Sequence, residues 1–444
     1  MTSEPTGGST NYPALAQAWC AIRASLPWTV GIALVLRISW ILIGHTYRFK
    51  PTDDNFGFGW EMGRIAASLA SGHGFSAPFG PPTGPTAWEP PLYPYLAAVV
   101  FRVFGIYSRT SAFVLLALNS VFSALTCIPI FRIARRMFSE KTAVGAIWSW
   151  ALLPNVIFWC TRAVWETSLS ALLLAMLIWL TLTLEEREGL WPWFECAVAW
   201  GIAALNNPSL LSFLPAAGIW VWSRRIQFGR KSLAAFALAS SVFFACIAPW
   251  LLRDYRTFGK FIFIRDNFGA ELRLGNGPGA DGTWMEYLHP TQDTYAMQQY
   301  RSMGELAYID LRRQQAVNYI KSDYARFTEL CVKRFIYYWG GPAKNLQSGW
   351  LGSAKNSLFL ASSVLMFWGL GRALLQRRPG AWLLFWLILL YPAIYYVVYA
   401  IPRYRHPIEP EMTILAVFVL TEARKTRTAG LPAHQSADQR TDPA

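Results

Sequence analysis

The sequence has few charged residues, and acidic residues are the scarcer kind. Only 15% of its 444 residues are charged, whereas soluble domains carry roughly 25%. Hydrophobic residues make up 54%, so much of the apolar surface must face lipid. Lys and Arg together number 40 against 26 for Asp and Glu, a net charge of +14. Because the basic residues lie in short loops between apolar stretches, we expect them to mark cytoplasmic loops and expect no nucleic-acid partner.

Other signals are absent as well. The six cysteines form no CxxC pair, which argues against a disulfide framework and a zinc site. The glycine-rich stretch 275–279 lacks the Lys-Ser/Thr of a phosphate-binding loop, so it predicts a turn. We find no internal repeat, no signal peptide and no Asn-x-Ser/Thr site with a permitted middle residue. The absent signal peptide and the missing glycosylation acceptor sites favour a bacterial inner membrane over a eukaryotic reticulum.

Apolar stretches long enough to cross a bilayer recur along the chain. A helix needs about 20 apolar residues to cross, and about ten stretches qualify. Around residues 206–208, Asn-Asn-Pro predicts either a tight hairpin or a kink in one long helix. The predicted spans are 25–44, 110–134, 142–160, 166–184, 191–205, 208–223, 232–252, 356–373, 381–400 and 408–422.

The orientation follows from four basic clusters near residues 132–141, 224–231, 372–378 and 424–427. They follow alternate spans, so the positive-inside rule places all four in the cytoplasm. The predicted organisation is a cytoplasmic segment over 1–24, a membrane domain over 25–423 and a disordered cytoplasmic tail over 424–444. The other face receives two long loops, 45–109 and 253–355.

The two outer loops differ in pattern. The first contains two amphipathic stretches, Trp60–Ala70 and Leu92–Phe104, which predict helices lying in the membrane interface. The second is mixed, with a glycine-rich polar stretch over Leu274–Gly282 and a helical pattern over Tyr308–Tyr338. The predicted fold is therefore an all-α polytopic membrane protein with its polar residues concentrated on one side.

Three carboxylates lie where the chain leaves the first span: Asp53, Asp54 and Glu61. Acids at an interface can act as a general base, bind a metal or bind a polar substrate, because partial desolvation raises their pKa. They are our candidate catalytic residues. The alternative is a solvated loop in which Asp54 or Asn55 caps the following helix.

Other polar residues on the same side are candidates for substrate binding. Trp88 beside Glu89 resembles the aromatic–carboxylate pairs of sugar sites. The alternative is that Glu89 is an acid favoured by a helix N-terminus. Arg162 and Glu166 flank a short outer turn, where they face the first loop or simply pair along one helix.

Several arginines fall where the positive-inside rule does not expect them. Arg253, Arg403 and Arg405 emerge on the outer side, and Arg37 is the only deep charge we identify inside a span. A guanidinium group matches phosphate oxygens bidentately, so these arginines predict an anionic partner. Anchoring at the interface is the alternative.

Four segments together resemble the GT-C membrane glycosyltransferases. They are GRIAASLASGHGF, TAWEPPLYPYLAAVVFRVFG, APWLLRDYRTFGKFIFIRDNFGAELRLGNGPG and PRYRHPIEP. The resemblance covers about residues 30 to 420 and is strongest to the family 39-like set. That set includes protein O-mannosyltransferases, lipid A aminoarabinose transferases and rhizobial galacturonosyl transferases.

The resemblance implies a polyprenyl-phosphate sugar donor, a glycan, lipid or protein acceptor and an active site on the outer face. It also implies an acid in the first outer loop as base. Asp53 and Asp54 match that loop by position, but counting back from Ile65 places the expected acid near Phe58, so Glu61 is a rival. Glu166 is loosely similar to the second acid of the family. The sequence fixes no cofactor and leaves room for a divalent metal.

Two other functions remain open from the sequence. A transporter or flippase would also have about ten spans, but should show charged or broken helices near the midplane and a repeat between halves. A polymerase or ligase of lipid-linked glycans would share the topology and the site, and would differ only in its acceptor.

Overall fold

Helices form almost all the secondary structure of the computed structural model, which describes residues 25–230, 232–342 and 349–422. Across these ranges there is no β-strand, and one isolated bridge joins Ser76 to Pro85. The all-α prediction is confirmed. The predicted segment 1–24 and tail 424–444 lie outside the described residues.

Among the described residues, ten helices lie in the N-terminal half: α1 Leu26–Ile43, α2 Glu61–Ala70, α3 Leu92–Phe104, α4 Arg109–Leu125, α5 Cys127–Met137, α6 Glu140–Leu152, α7 Pro154–Arg162, α8 Thr167–Leu184, α9 Trp191–Asn206 and α10 Leu214–Gln227. Nine more follow: α11 Leu233–Phe258, α12 Phe268–Gly275, α13 Thr294–Met303, α14 Glu305–Ser322, α15 Tyr324–Gly340, α16 Gly349–Leu375, α17 Ala381–Leu390, α18 Ala393–Val397 and α19 Glu409–Glu422. Short 3-10 turns lie at Pro51–Asp53, Phe56–Phe58, Pro208–Phe213, Glu286–Leu288 and Pro402–Ile408.

Five helical segments in the described ranges are long and apolar enough to cross a membrane. A sixth is gained if α6 and α7, which bend by 47° at their junction, form one span. The other four predicted spans are helices of 17 residues or fewer, namely α9, α10, α17 with α18, and α19. The structure thus supports a polytopic membrane protein and does not confirm the predicted number of ten spans.

The ambiguous stretch at residues 206–208 forms two helices. α9 ends at Asn206, and Asn207 is extended, with its side chain accepting a hydrogen bond from the Ser209 N–H at 3.1 Å. A 3-10 turn over Pro208–Phe213 then leads into α10. The alternative prediction, a kink in one long helix, is therefore wrong, because Asn207 caps a new turn.

The outer loops contain the predicted helices with small changes. The two amphipathic stretches are α2 and α3, which pack on each other through Met62, Ala66, Tyr93 and Ala97. The pattern over Tyr308–Tyr338 is divided at Asp323, whose carboxylate accepts from the Arg326 N–H at 2.8 Å. That cap starts α15 separately from α14.

Arg37 is fully buried inside the helix bundle. Its guanidinium donates to the Ser123 hydroxyl at 3.1 Å and to three backbone carbonyls, those of Ala33, Ala151 and Trp150, at 2.9 to 3.2 Å. These bonds tie α1 to α4 and α6. Our expectation that Arg37 contacts a phosphate or an acid is wrong, because carbonyl and hydroxyl oxygens satisfy it.

Arg37 is also not the only deep charge. Glu411, near the start of α19, is fully buried, and neither carboxylate oxygen has a hydrogen-bond partner among the described residues. Arg405, His406 and Glu409 lie buried just before it and contact one another. The bundle therefore contains more buried ionisable groups than the sequence patterns indicated. These additional groups lie in the short helix α19 and in the turn before it.

Arg37→Ala should destabilise the bundle strongly. It removes a charged donor and leaves buried carbonyls unpaired, which costs about 2–4 kcal/mol of the free energy of unfolding. The stability of Arg37→Lys should fall between those of the wild type and Arg37→Ala, because one ammonium group cannot replace the guanidinium fork. Thermal unfolding in detergent measures this, with Arg102→Ala on the exposed side of α3 as the control. Equal melting temperatures for Arg37→Ala and the control would contradict the assigned role.

Candidate active site

A cavity of about 710 Å³ lies where both outer loops meet the ends of several helices. Its wall is formed by 44–50 and 56–61 from the first loop, by 158–165 at the turn between α7 and α8, and by 399–404 near the Pro402–Ile408 turn. Trp88, Glu89, Glu271, Trp284 and His289 complete it. The first outer loop (45–109), the second outer loop (253–355, here called the large loop) and two turns therefore contribute to one site.

Glu61 and His289 form the buried polar centre of this wall. Glu61 lies in the first turn of α2, and His289 follows the turn Glu286–Leu288 in the large loop. The His289 Nε2 lies 2.9 Å from a Glu61 oxygen. The Nδ1 accepts the Thr291 backbone N–H at 3.3 Å, so in the neutral ring Nε2 carries the proton and donates it to Glu61.

This partner keeps Glu61 ionised. Burial raises the pKa of the Glu61 carboxyl, but the hydrogen bond and the electrostatic attraction of His289 lower it by more, so the resulting pKa lies below the usual range. Glu61 is therefore a carboxylate at neutral pH and can accept a proton from a group in the cavity.

Aromatic rings hold His289 in place. Trp60 stacks on the imidazole with ring centroids 5.6 Å apart, and Trp88 and Trp284 meet it edge-on at 6.3 and 5.8 Å. The indole N–H groups of Trp60 and Trp284 are buried and have no hydrogen-bond partner among the described residues. Two flat apolar faces with free donors suit a polyhydroxylated ligand.

Glu89 is the second buried carboxyl of the cavity and has the opposite protonation. Burial raises its pKa to about 8, against the lowering effect of Arg265, whose guanidinium lies 3.9 Å away. Glu89 is thus protonated at neutral pH and can donate a hydrogen bond. Two carboxyl groups in one site with pKa values pushed apart are a pattern of acid–base chemistry.

Cations that form no salt bridge within the described residues face the same space. Arg403 is stacked on Trp165 at 3.8 Å, its Nε has no hydrogen-bond acceptor, and it makes no salt bridge within the described residues. Arg48, Lys50 and Arg162 also line the cavity and form no salt bridge there. Positive charge that no salt bridge neutralises favours the binding of a phosphate or another anion in the cavity.

A smaller chamber of about 280 Å³ adjoins the cavity, and both are lined by Glu89, Glu271 and Arg403. Glu166 lines the chamber, and one of its oxygens is buried with no hydrogen-bond partner among the residues that the structure describes. Arg162 ends α7 whereas Glu166 precedes α8. The alternative that these two residues pair along one helix is therefore wrong.

One predicted base residue, Asp54, lies outside the cavity. Asp54 forms an ion pair with Arg64, is 57% exposed and does not line the cavity. It does not cap a helix either, because it follows the turn Pro51–Asp53 and α2 starts only at Glu61. The structure describes the backbone of Asp53 but not its side chain.

Two arginines that were predicted to bind a phosphate bond to other groups of the protein instead. Arg253 donates to the carbonyls of Thr86 and Phe75 at 2.7 and 2.8 Å, so it holds the first loop. Arg405 is buried against Glu409 at 3.2 Å and the Ser363 hydroxyl at 3.0 Å. Neither arginine lines the cavity. The structure therefore does not bring these two arginines into the site, and their role in substrate binding stays a prediction.

The sequence reasoning missed five cavity residues: His289, Glu271, Trp284, Arg48 and Lys50. Glu271, on α12, accepts a hydrogen bond from the Tyr399 hydroxyl, and burial raises its pKa despite that bond and the charge of Arg265. No short motif surrounds these residues. Arg48 and Lys50, however, directly follow the first span on the predicted outer side. Basic residues are not expected there by the positive-inside rule, and the same signal had identified Arg403.

The donor set does not match a resident metal ion. In the described ranges, no group of three or more His, Cys, Asp or Glu residues is arranged to hold one. The closest acids and imidazole already bond to each other or to tyrosine, as Glu61–His289 and Glu271–Tyr399 show.

Comparison with known proteins supports the resemblance noted above. A family model described as dolichyl-phosphate-mannose-protein mannosyltransferase matches residues 88–252, which include Glu89, Arg162 and Glu166. No protein in a search of curated proteins matches.

Among solved structures, the apo oligosaccharyltransferase of Archaeoglobus fulgidus superposes with a TM-score of 0.50 at 14% identity. The match covers 88% of this chain and 50% of that one, so the chain spans about half the length of the archaeal protein. ArnT from Cupriavidus metallidurans, bound to undecaprenyl phosphate, gives a TM-score of 0.40 at 13% identity over 92% of this chain and 78% of that one. At such identities the likeness shows the fold alone. The family match over residues 88–252 and the shared fold both support the resemblance of this chain to the GT-C membrane glycosyltransferases.

Proposed function

We propose that the protein moves a sugar from a polyprenyl-phosphate donor to a hydroxyl group of a lipid, glycan or protein acceptor. The observation that carries this proposal is one cavity that contains an ionised buried carboxylate, Glu61, and a half-buried guanidinium, Arg403, which forms no salt bridge within the described residues. The description of the matching family names a dolichyl-phosphate sugar as donor, which agrees with a site for both a phosphate and a hydroxyl.

The donor phosphate would bind the free cations. Arg403 offers a guanidinium fork, and Arg48, Lys50 and Arg162 add positive charge on the same wall. The cavity also reaches Gly44 at the end of α1, where Trp40 and Ile43 are 57% and 81% exposed. A polyprenyl tail would lie along this apolar surface in the membrane.

The chemistry is a displacement at the anomeric carbon. Glu61 takes the proton of the acceptor hydroxyl, whose oxygen forms the new bond to that carbon as the bond to the phosphate oxygen breaks. The electron pair leaves with the polyprenyl phosphate, and Arg403 stabilises the added negative charge. Protonated Glu89 donates a hydrogen bond within the site. His289 positions Glu61, and no step uses a metal.

The side of the membrane follows from charge. The four basic clusters that indicate the cytoplasm fall after alternate predicted spans, so the cavity, built largely from the intervening loops, would open on the outer face of a bacterial inner membrane. A transporter of the same lipid-linked sugar remains the alternative, since α19 and the preceding turn bury several charges.

Glu61→Gln should abolish most transfer because the amide cannot accept the proton. In proteoliposomes with a labelled pool of polyprenyl-phosphate sugars, release of polyprenyl phosphate should fall about 100-fold or more. The matched control is Glu188→Gln, because the Glu188 side chain is 83% exposed and lies far from Glu61 in the sequence. Full transfer by Glu61→Gln would remove Glu61 as the base. Movement of the labelled lipid across the membrane without release of polyprenyl phosphate would favour transport instead.

The pH dependence should report on Glu89. Its pKa lies near 8, so the proton is present below that pH and lost above it, and wild-type transfer should decline as the pH rises through about 8. Glu89→Gln keeps an N–H donor and should lose this alkaline decline, whereas Glu89→Ala should be impaired at every pH. Initial rates from pH 6 to pH 9.5 measure this. An unchanged alkaline decline in Glu89→Gln would show that another group titrates.

A further inference from the structure

A second groove, of about 730 Å³, lies between α10 and α17. Its walls are mostly apolar. From α10 they include Pro215, Ile219 and Trp220, and from α17 they include Trp382 and Trp386. Ile219 is 70% exposed and Trp382 is 59% exposed, so the groove is open to its surroundings along its length.

The groove is polar at one end only. Ser223, Arg224 and Gln227 at the end of α10 meet the loop before α17, which contains Arg377 and Arg378. From Pro215 to Arg224 a helix rises about 14 Å, which is about half the thickness of the hydrocarbon core of a bilayer. An apolar groove of that length with a cationic end has the dimensions of one leaflet.

This groove is separate from the candidate active site. The residues that line the chamber beside that site, such as Pro208 and Tyr391, precede α10 and follow α17. The arginines lie at the opposite ends of the same two helices. A ligand of this groove would therefore lie on the other side of the protein from the transfer reaction, and the inference does not depend on the proposed function.

Positive charge exceeds negative charge at the polar end. Arg224 bonds to Glu185, and Arg378 bonds to Glu422 at 3.0 Å. Arg377 is exposed and has no ion pair or side-chain hydrogen bond within the described residues. One guanidinium is thus left for an anion, with two neutralised ones beside it.

The backbone at Arg377 is a second, independent indication. Arg377 has φ +49° at the C-terminus of α16. Its N–H bonds to the Leu374 carbonyl and the Arg378 N–H bonds to the Ala373 carbonyl, both at 2.9 Å. This helix ending usually takes glycine, because a left-handed residue with a side chain is strained. An arginine held at such a position, beside a cationic groove, indicates that its side chain serves a function.

We propose that the groove binds an anionic glycerophospholipid of the adjacent leaflet. The lipid phosphate bonds to Arg377, within reach of the charge of Arg224 and Arg378, and an acyl chain lies along the face formed by Ile219, Trp382 and Trp386. By the charge rule for membrane loops, this leaflet is the cytoplasmic one. A bound lipid would fill the space between α10 and α17 and hold them together.

Arg377→Gly tests the proposal without threatening the fold, because glycine suits the left-handed backbone. In lipid-free detergent the variant should melt at or above the wild-type temperature. Affinity is measured by titrating dioleoyl phosphatidylglycerol against dioleoyl phosphatidylcholine in native mass spectrometry. Wild type should prefer phosphatidylglycerol, and Arg377→Gly should bind it about fivefold more weakly. Arg256→Gln, an exposed arginine at the end of α11, is the control and should behave as wild type.

Other occupants give different results. Equal binding of the two lipids, or unchanged affinity in Arg377→Gly, would overturn the proposal. Competition by glycerol phosphate at the lipid concentration would show a site for free phosphate. Preferential displacement by polyprenyl phosphate would identify a different lipid. A change from dimer to monomer in Trp382→Ala, measured by light scattering, would show a contact between two copies.

Discussion

The hydrogen bond between Glu61 and His289 joins two loops that are more than 200 residues apart in sequence. The large loop makes further contacts of the same kind: Arg265 faces Glu89, and the Glu305 carboxylate accepts the Thr86 hydroxyl and the Ala87 N–H. Each contact places a charged group of one loop in the apolar interior of the other. Because a buried charge is tolerated only when paired, the cavity wall forms only when both loops have folded on each other.

These pairings also determine the chemistry of the site. Glu61 is buried with a hydrogen-bond donor 2.9 Å away and stays ionised, while Glu89 is buried with its cation at 3.9 Å and keeps its proton near neutral pH. Burial raises both pKa values. At Glu61 the hydrogen bond and the electrostatic attraction of His289 outweigh it, whereas at Glu89 the attraction of the more distant Arg265 does not. The unpaired Arg403 then makes the cavity suited to a substrate that is both hydroxylated and anionic.

Local patterns predicted the elements better than the site. The amphipathic spacing predicted α2 and α3. Acids after the first span, an aromatic–carboxylate pair, a polar outer turn and outer-side arginines led to Glu61, Glu89, Arg162 and Arg403, all of which line the cavity. The same reasoning selected Asp54, Arg253 and Arg405, which bond to neighbouring protein groups instead. A sequence shows that a charge needs a partner but not whether the protein supplies it. His289 was missed because its partner lies in a distant loop and no motif surrounds it.

Photo-crosslinking with a diazirine-bearing polyprenyl phosphate in native membranes tests the central claim most directly. If the cavity binds the donor lipid phosphate, peptides containing residues 44–50 and 158–165 should be labelled. Unlabelled polyprenyl phosphate should remove that labelling, and Arg403→Gln should reduce it. Labelling confined to other parts of the chain, or unaffected by the competitor, would contradict a donor site in this cavity.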